Sequence, residues 1–323
     1  MDRCEKFIKY MEEENIKKAV ILKKENINYF LGRYFPSFGV LVFEDKPYLY
    51  VGKLNKDLAE TYNIEVREFK DWKDIFKDVD GVEEELPIKF LKYLNKYKTI
   101  SQKIKEMRMI KEKDEIEKIK KSAEIVSNSL KNLDFDKKEI ELAGEIEYRM
   151  KINNSLKPAF DTIVISKEKT SFPHALPEDR KIEDILLVDC GAVFEGYCSD
   201  ITRTYILKED SEMKKIYRLV YEAKCLVEDN LKEGVSTKYL TELVNNYFGN
   251  YKKYFIHSLG HGVGLEVHEL PNFREDFKLK ENMVITIEPG LYIKNKFGVR
   301  IEDLYLIKKN GFKRLTKTKI EEY

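Results

Sequence analysis

Residues 185–207 read ILLVDCGAVFEGYCSDITRTYIL. Two β-rich halves flank Phe194, Glu195 and Gly196, so the segment is expected to fold as a β-hairpin turning there. A turn centred between Phe194 and Glu195 sets Asp189 directly across the ladder from Asp200. A turn centred one residue later makes them diagonal neighbours on the same face. In either register the two Cβ atoms fall about 4.5–8 Å apart. Carboxylates that close repel unless they are protonated or bridged by cations. The plain alternative is a pair of surface acids near a turn, but an aspartate is unusual in a strand beside Leu186, Leu187 and Val188.

Three further segments carry a related signal. Residues 257–271, HSLGHGVGLEVHELP, hold three of the four histidines of the chain. Histidine is the commonest metal-ligand side chain, and Gly260, Gly262 and Gly264 let backbone pass close to something bulky or bound. His257 and His261 share a helical spacing, but the glycines argue against a helix, so this is not the HExxH zinc motif. Residues 283–293, MVITIEPGLYI, carry Glu288 at the end of an apolar run, and residues 298–307, GVRIEDLYLI, carry Glu302 inside another. An unpaired buried carboxylate costs several kcal/mol, so each acid needs a cation, a proton or an arginine. A salt bridge from Arg300 to Glu302 or Asp303 is the structural alternative.

Asp189, Asp200, His261, Glu288 and Glu302 together offer four carboxylates and one imidazole. Their four negative charges balance two dications. Hard oxygen donors with one nitrogen suit Mn²⁺, Co²⁺ or Fe²⁺, and Zn²⁺ is compatible. Two such ions about 3.5–4 Å apart can hold a bridging hydroxide and clamp both oxygens of a tetrahedral intermediate.

The rest of the chain frames these segments. FIKYMEEENI, from residue 7, has an amphipathic helical pattern, and KAVILKK, FGVLVFE and PYLYVG are runs of strand length. Residues 102–131 read as one long charged helix with Ile116, Ile119, Ala123, Val126 and Leu130 on one face. The expected boundary divides the chain into an α/β domain, residues 1–108, and a second domain, residues 109–323. Further helices are expected over 138–152, about 211–231 and about 236–248. What remains is strand-like, so the second domain is expected to be α+β, with helices on a largely antiparallel sheet.

Bulk properties exclude several classes. A length of 323 residues suits two domains at roughly 150 residues each, and a hydrophobic fraction of 42% excludes a disordered chain. With 59 Lys+Arg against 58 Asp+Glu, no field favours a nucleic-acid backbone. The chain shows no apolar run of membrane-spanning length and no signal-peptide core at the N-terminus. Cys4, Cys190, Cys198 and Cys225 form no CxxC pair, which fits a reducing cytoplasm.

The segments DCGAVFEGYCSDITRT, HSLGHGVGLEVHE, IEPGLY and GVRIED, in the order Asp, Asp, His, Glu, Glu, resemble the signature of the pita-bread metallopeptidases: prolidase, aminopeptidase P and methionine aminopeptidase. The resemblance covers about residues 112–308. It implies a pita-bread catalytic domain in which Asp189 holds one metal, His261 and Glu288 the other, and Asp200 and Glu302 bridge both. It further implies that a metal-bridging water or hydroxide attacks the scissile carbonyl and that Glu288 accepts its proton. His268 would lie near the substrate carbonyl, His174 in SFPHALP would bind substrate, and Arg300 would orient substrate or support the ligand shell. One departure concerns the loop before His174, where Lys167 stands in place of the family's glycine; this bears on substrate preference.

The N-terminal domain and the stretch RMIKEKDEIEKIKKSAEIV resemble the arrangement in prolidases and aminopeptidases P. That implies a creatinase/prolidase-type N-terminal domain, proline-containing dipeptides or short peptides as substrates, and a homodimer. A methionine aminopeptidase is disfavoured by the extra domain. A non-catalytic binding protein, or metal-free amidine hydrolysis as in creatinase, is disfavoured by the complete ligand set. Cys190 and Cys198 are assigned to packing, His257 to supporting the site or filling the core, and Tyr197 and Arg203 to structural pairing.

Overall fold

The structure, a computed structural model, describes residues 2–321 and 323. It divides into two compact units, Met1–Arg108 and Met109–Tyr323.

The first unit is built on a six-stranded sheet. Val40–Phe43 pairs antiparallel with both Ala19–Ile21 and Pro47–Val51, and the outer strands Glu65–Glu68, Gly81–Val82 and Lys98–Thr99 add in parallel. Helix Arg3–Glu13 begins at a capping box on Asp2 and Glu5 and ends before Asn15, whose φ of 53° turns the chain toward the first strand. The amphipathic pattern noted from residue 7 therefore starts earlier and stops sooner than its apolar residues alone suggest. Trp72, Phe76 and Phe90 fill one side of this core, with the Trp72 and Phe90 rings 4.5 Å apart.

In the second unit, the hairpin of residues 185–206 supplies two strands of a three-stranded antiparallel sheet, with Ile185–Cys190 in the middle between Ile201–Ile206 and Ile163–Ser166. Leu186, Val188 and Cys190 point into an apolar cluster with Ile125, Val126, Leu142 and Ile146, from helices Lys113–Ser129 and Glu139–Ile152. That clustering puts the alternate residues, Asp189 among them, on the other face. A five-stranded antiparallel sheet includes Val284–Ile287 and Asp303–Lys308. Ile285, Ile287, Tyr305 and Ile307 pack there with Tyr217, Val220, Leu240 and Val244, from helices Ser211–Glu228 and Thr237–Phe248. The strand Ile201–Ile206 is tied to the segment just before Asp303 by hydrogen bonds from Glu302 N–H to Thr202 O (3.1 Å) and from Thr204 Oγ1 to Arg300 O (2.9 Å).

Two readings change. The helix expected over 102–131 is two helices, Ser101–Met109 and Lys113–Ser129. No glycine or proline marks the break. It is made by distant partners: Lys111 N–H donates to Asn282 O (3.0 Å), and Lys111 Nζ lies 2.7 Å from Glu269 Oε1. A new capping box on Glu112 and Glu115 then restarts the helix. The apolar runs around Glu288 and Glu302 are also interrupted. Val284–Ile287 and Gly290–Ile293 belong to different sheets, as do Phe297–Arg300 and Asp303–Lys308. Pro289 has no N–H to continue a ladder, and its carbonyl accepts from Ile301 N–H at 3.3 Å. Both glutamates therefore sit at one kink, free of the pleat.

Candidate metal centre

The hairpin turn is made by Glu195 and Gly196, with φ of 47° and 88°, between paired Phe194 and Tyr197. Two left-handed residues in a two-residue loop match the twist of the flanking strands. This register pairs Asp189 with Thr202. Asp200 is thus the diagonal neighbour of Asp189, the second of the two arrangements the sequence allowed. Just beyond the Cys190–Ile201 pair a Cβ on Gly191 would stand 2.1 Å from Ser199 O, so only glycine fits.

His261 opens a short strand, His261–Gly262. Gly260 and Gly262 are required there by backbone, since added Cβ atoms would meet Thr286 O and Leu270 O, each at 2.2 Å. The glycines serve strand packing, and this is what brings the imidazole to the sheet. His261 Nδ1 is 3.1 Å from Gly262 O, which leaves Nε2 aimed at Glu288 Oε1 (3.4 Å) and Asp200 Oδ2 (3.6 Å). Asp200, His261 and Glu302 offer ligand atoms that all lie within 4.8 Å of one another.

Around this cluster the donors are arranged in order. Arg300 is buried, and its Nη2 donates to Asp189 Oδ2 (2.5 Å), its Nη1 to Tyr292 OH (2.6 Å) and its Nε to Thr202 Oγ1 (3.0 Å). Thr202 Oγ1 in turn donates to Glu302 Oε2 at 2.6 Å. The arginine therefore pairs with Asp189, not with Glu302 or Asp303. His257 Nε2 is 2.9 Å from Tyr292 OH, and its ring supports the site from behind Glu288, 3.7 Å away. Thr286 Oγ1 joins His261 N–H to Glu288.

Asp189 Oδ1 and Asp200 Oδ1 are buried with no hydrogen-bond partner among the described residues. Buried acceptors are normally satisfied. Burial pushes Asp200 and Glu302 well above the ordinary carboxylate range, and mutual repulsion among Asp189, Glu288 and Glu302 adds to it. Glu288 is raised to about 8, first by burial, with Arg300 partly opposing and Asp189 adding. Burial lowers His261 to about 3, with His268 the next cause, so its ring is neutral and able to ligate at neutral pH. Orphaned oxygens, crowded acids and a neutral imidazole form a donor set that suits divalent cations.

His268 lies beside His261, ring centroids 4.2 Å apart and planes tilted by 58°, and burial is the main cause of its lowered pKa. His174 is exposed, on the segment after the short turn Lys167–Ser171. A charge on it would lower the pKa of both His257 and His268, so its imidazole lies within electrostatic range of both rings. Lys167 holds φ of 53°, the left-handed conformation a glycine adopts without cost, and its ammonium pairs with Glu183. Lys167 thus holds a backbone conformation suited to glycine, and its charge is taken up by a surface acid.

Sequence reasoning missed Tyr292, Thr202 and Thr286. Tyr292 lies four residues after Glu288 in a segment already singled out. Its link to Arg300 comes from the pairing of Gly290–Ile293 with Phe297–Arg300, which a reading of the two segments as one hairpin could have found.

The chain matches metallopeptidase family M24 over residues 117–309 and the creatinase/prolidase N-terminal domain over residues 3–110. It is 65% identical to an uncharacterised peptidase of Methanocaldococcus jannaschii, covering 100% of this chain and 97% of the relative. It is 40% identical to a Xaa-Pro dipeptidase of Pyrococcus horikoshii, covering 99% of this chain and 98% of that protein. The solved structure of the prolidase from Pyrococcus furiosus superposes with a TM-score of 0.91 at 38% identity, over 97% of this chain and 99% of that one. No helix among the described residues is long and apolar enough to cross a membrane. The chain belongs to metallopeptidase family M24, with a creatinase/prolidase N-terminal domain ahead of a pita-bread catalytic domain.

Proposed function

We propose that this chain is a two-metal peptidase that cleaves the Xaa-Pro bond of dipeptides or short peptides, with Mn²⁺ or Co²⁺ as the working ions. The observation that carries the reading is the buried convergence of Asp200, His261 and Glu302, with unsatisfied oxygens on Asp189 and Asp200. Asp189 and His261 would be end ligands, Asp200 and Glu302 bridges, and Glu288 the partner of His261. Bound there, two dications would polarise a scissile carbonyl and lower the pKa of a water.

The side chains around that position have definable tasks. Arg300 fixes Asp189 and, through Thr202, the orientation of Glu302. Glu288, 3.4 Å from His261 Nε2, would accept the proton released in the reaction, the role that the family resemblance implies. His268, kept neutral by burial, can donate to or accept from the substrate carbonyl region, and His174 would bind substrate, as the family resemblance implies. The names of similar proteins in Pyrococcus support a proline-containing substrate. A homodimer, implied by the family resemblance, belongs to the same proposal.

The test is turnover of Ala-Pro and Met-Pro beside Ala-Pro-Ala and Met-Ala-Ser, after loading with Mn²⁺ or Co²⁺. Release of proline from the dipeptides is expected. Absence of turnover on every Xaa-Pro peptide with either metal would sink the reading, and preferential removal of Met from Met-Ala-Ser would replace it with a methionine aminopeptidase.

A further inference from the structure

Glu139 begins helix Glu139–Ile152, and its side chain is fully buried at 0% exposure. A buried carboxylate must be paired, and the partners of this one converge from both ends of a single loop. Oε1 accepts from Ser166 N–H (2.7 Å) and Ser166 Oγ (2.9 Å), while Oε2 accepts from Glu178 N–H (3.1 Å). Lys169 Nζ at 3.4 Å and Arg180 Nε at 3.6 Å supply the counter-charge. Backbone bonds continue the closure: Glu139 N–H donates to Arg180 O (3.0 Å) and Ile140 N–H to Glu178 O (3.2 Å).

The loop closed in this way, residues 167–177, carries His174 between Pro173 and Pro177. Its base is braced on the strand that bears Arg300, because Gly298 N–H donates to Thr170 Oγ1 at 2.8 Å. A Cβ on Gly298 would meet Thr170 O at 2.2 Å, so the turn sits hard against that strand. The tip, by contrast, is open: Phe172 is 49% and Leu176 55% exposed. Next to His174, Ala175 packs against Ile163, Ile165 and Leu187, so the imidazole keeps its place through what fixes the loop that carries it.

We infer that Glu139 is a positioning residue for His174: one buried carboxylate pins both ends of the loop and so sets where the imidazole stands over the pocket. This rests on the reading of His174 as a substrate-binding residue. Glu139 itself touches neither the ligand cluster nor the pocket among the contacts described, so its effect runs through the loop alone. Glutamine at this position keeps shape but turns one acceptor into an NH₂ donor. Whichever way the amide is turned, one end of the loop meets a donor with its own N–H.

The experiment uses the full chain loaded with Mn²⁺ and compares wild type, Glu139→Gln, His174→Ala and the double variant on Ala-Pro. Glu139→Gln is expected to lower kcat/KM roughly 10- to 100-fold, mainly through KM, with metal content unchanged. In the His174→Ala background the same change is expected to cost less than about twofold. An equal cost in both backgrounds, or unaltered kinetics for Glu139→Gln, overturns the inference. Ser166→Ala, which removes one donor and leaves the charge, is the milder variant should Glu139→Gln not fold, and it is expected to move KM in the same direction by about twofold or more. Amide hydrogen exchange separates this inference from the assigned reaction. If wild type hydrolyses no Xaa-Pro peptide, the proposed function fails. Glu139 still holds the loop if exchange over 167–177 quickens at least about tenfold in Glu139→Gln while Ile185–Cys190 stays protected. Unchanged exchange there overturns the inference on its own.

Discussion

Glu302 and Asp303 are consecutive residues, both buried, and lie where the two sheets meet. Glu302 shares its surroundings with Asp189, Asp200 and Glu288, and burial and repulsion push its carboxyl well above the usual range. Asp303, the first residue of the next strand, lies 2.6 Å from Arg203 Nη2 and 2.9 Å from Lys224 Nζ and accepts from Thr316 Oγ1 at 2.6 Å. Arg203 and Lys224 hold its carboxyl below the usual range despite burial. Around Asp303 the chain supplies its own cations; around Glu302 it gathers three further acids and Arg300, whose ion pair goes to Asp189. A structural acid and a candidate metal-binding acid thus differ in where the positive charge comes from, not in burial.

Breaking the internally compensated side is expected to have the largest effect. Asp303→Asn leaves Arg203 and Lys224 buried beside a neutral amide and should cost about 3–5 kcal/mol of unfolding free energy. Urea denaturation of the metal-loaded protein measures it, and a change within about 0.5 kcal/mol would show that the two acids are not distinguished by their counter-charges. On the other side the sign should reverse. Glu302→Gln removes one of the crowded acids, so at pH 8 the metal-free protein is expected to gain about 1–2 kcal/mol. The same variant should lose most of the rise in Tm that Mn²⁺ gives the wild type. A destabilised metal-free variant would contradict the account of Glu302.

The smallest effect is a slope with pH. The folded pKa of Glu288, about 8, lies above its ordinary 4.5. Its contribution to stability is therefore complete below about 4.5 and is lost as pH rises through 8. His257 and His261 are lowered from 6.5 to about 4 and about 3, so their contribution is complete above 6.5 and lost on acidification. The lowered Asp303 acts only in acid. Between pH 6.5 and 8 the raised carboxylates are left to act, and the Tm of the metal-free protein should fall as pH rises. With Mn²⁺ bound the fall should vanish, because ligation favours the deprotonated acids. A Tm in chelator that is flat or rising over this window counts against crowded, uncompensated acids.

Much of the architecture was readable from local pattern. The alternation in residues 185–207 announced a hairpin, and helices expected near 138–152 and 236–248 appear as Glu139–Ile152 and Thr237–Phe248. The same alternation permits two hairpin registers, and the left-handed φ values at Glu195 and Gly196 select one. The helix break before Lys113 was invisible, since its cause is Asn282 and Glu269, far along the chain. Tyr292, Thr202 and Glu139 were passed over for the same reason: each looks like an ordinary strand or helix residue until its partner arrives.

The sequence by itself determined which chemistry was available: four acids and a histidine set in apolar or glycine-rich segments, where desolvation makes an uncompensated carboxylate costly. Tertiary structure alone decided which acid received a cation from the chain. Arg203 reached Asp303, Arg300 reached Asp189, and neither reached the side chain of Glu302. Charge pairing acts over a few ångströms, and only the packing of two sheets brings residues about a hundred positions apart within that range.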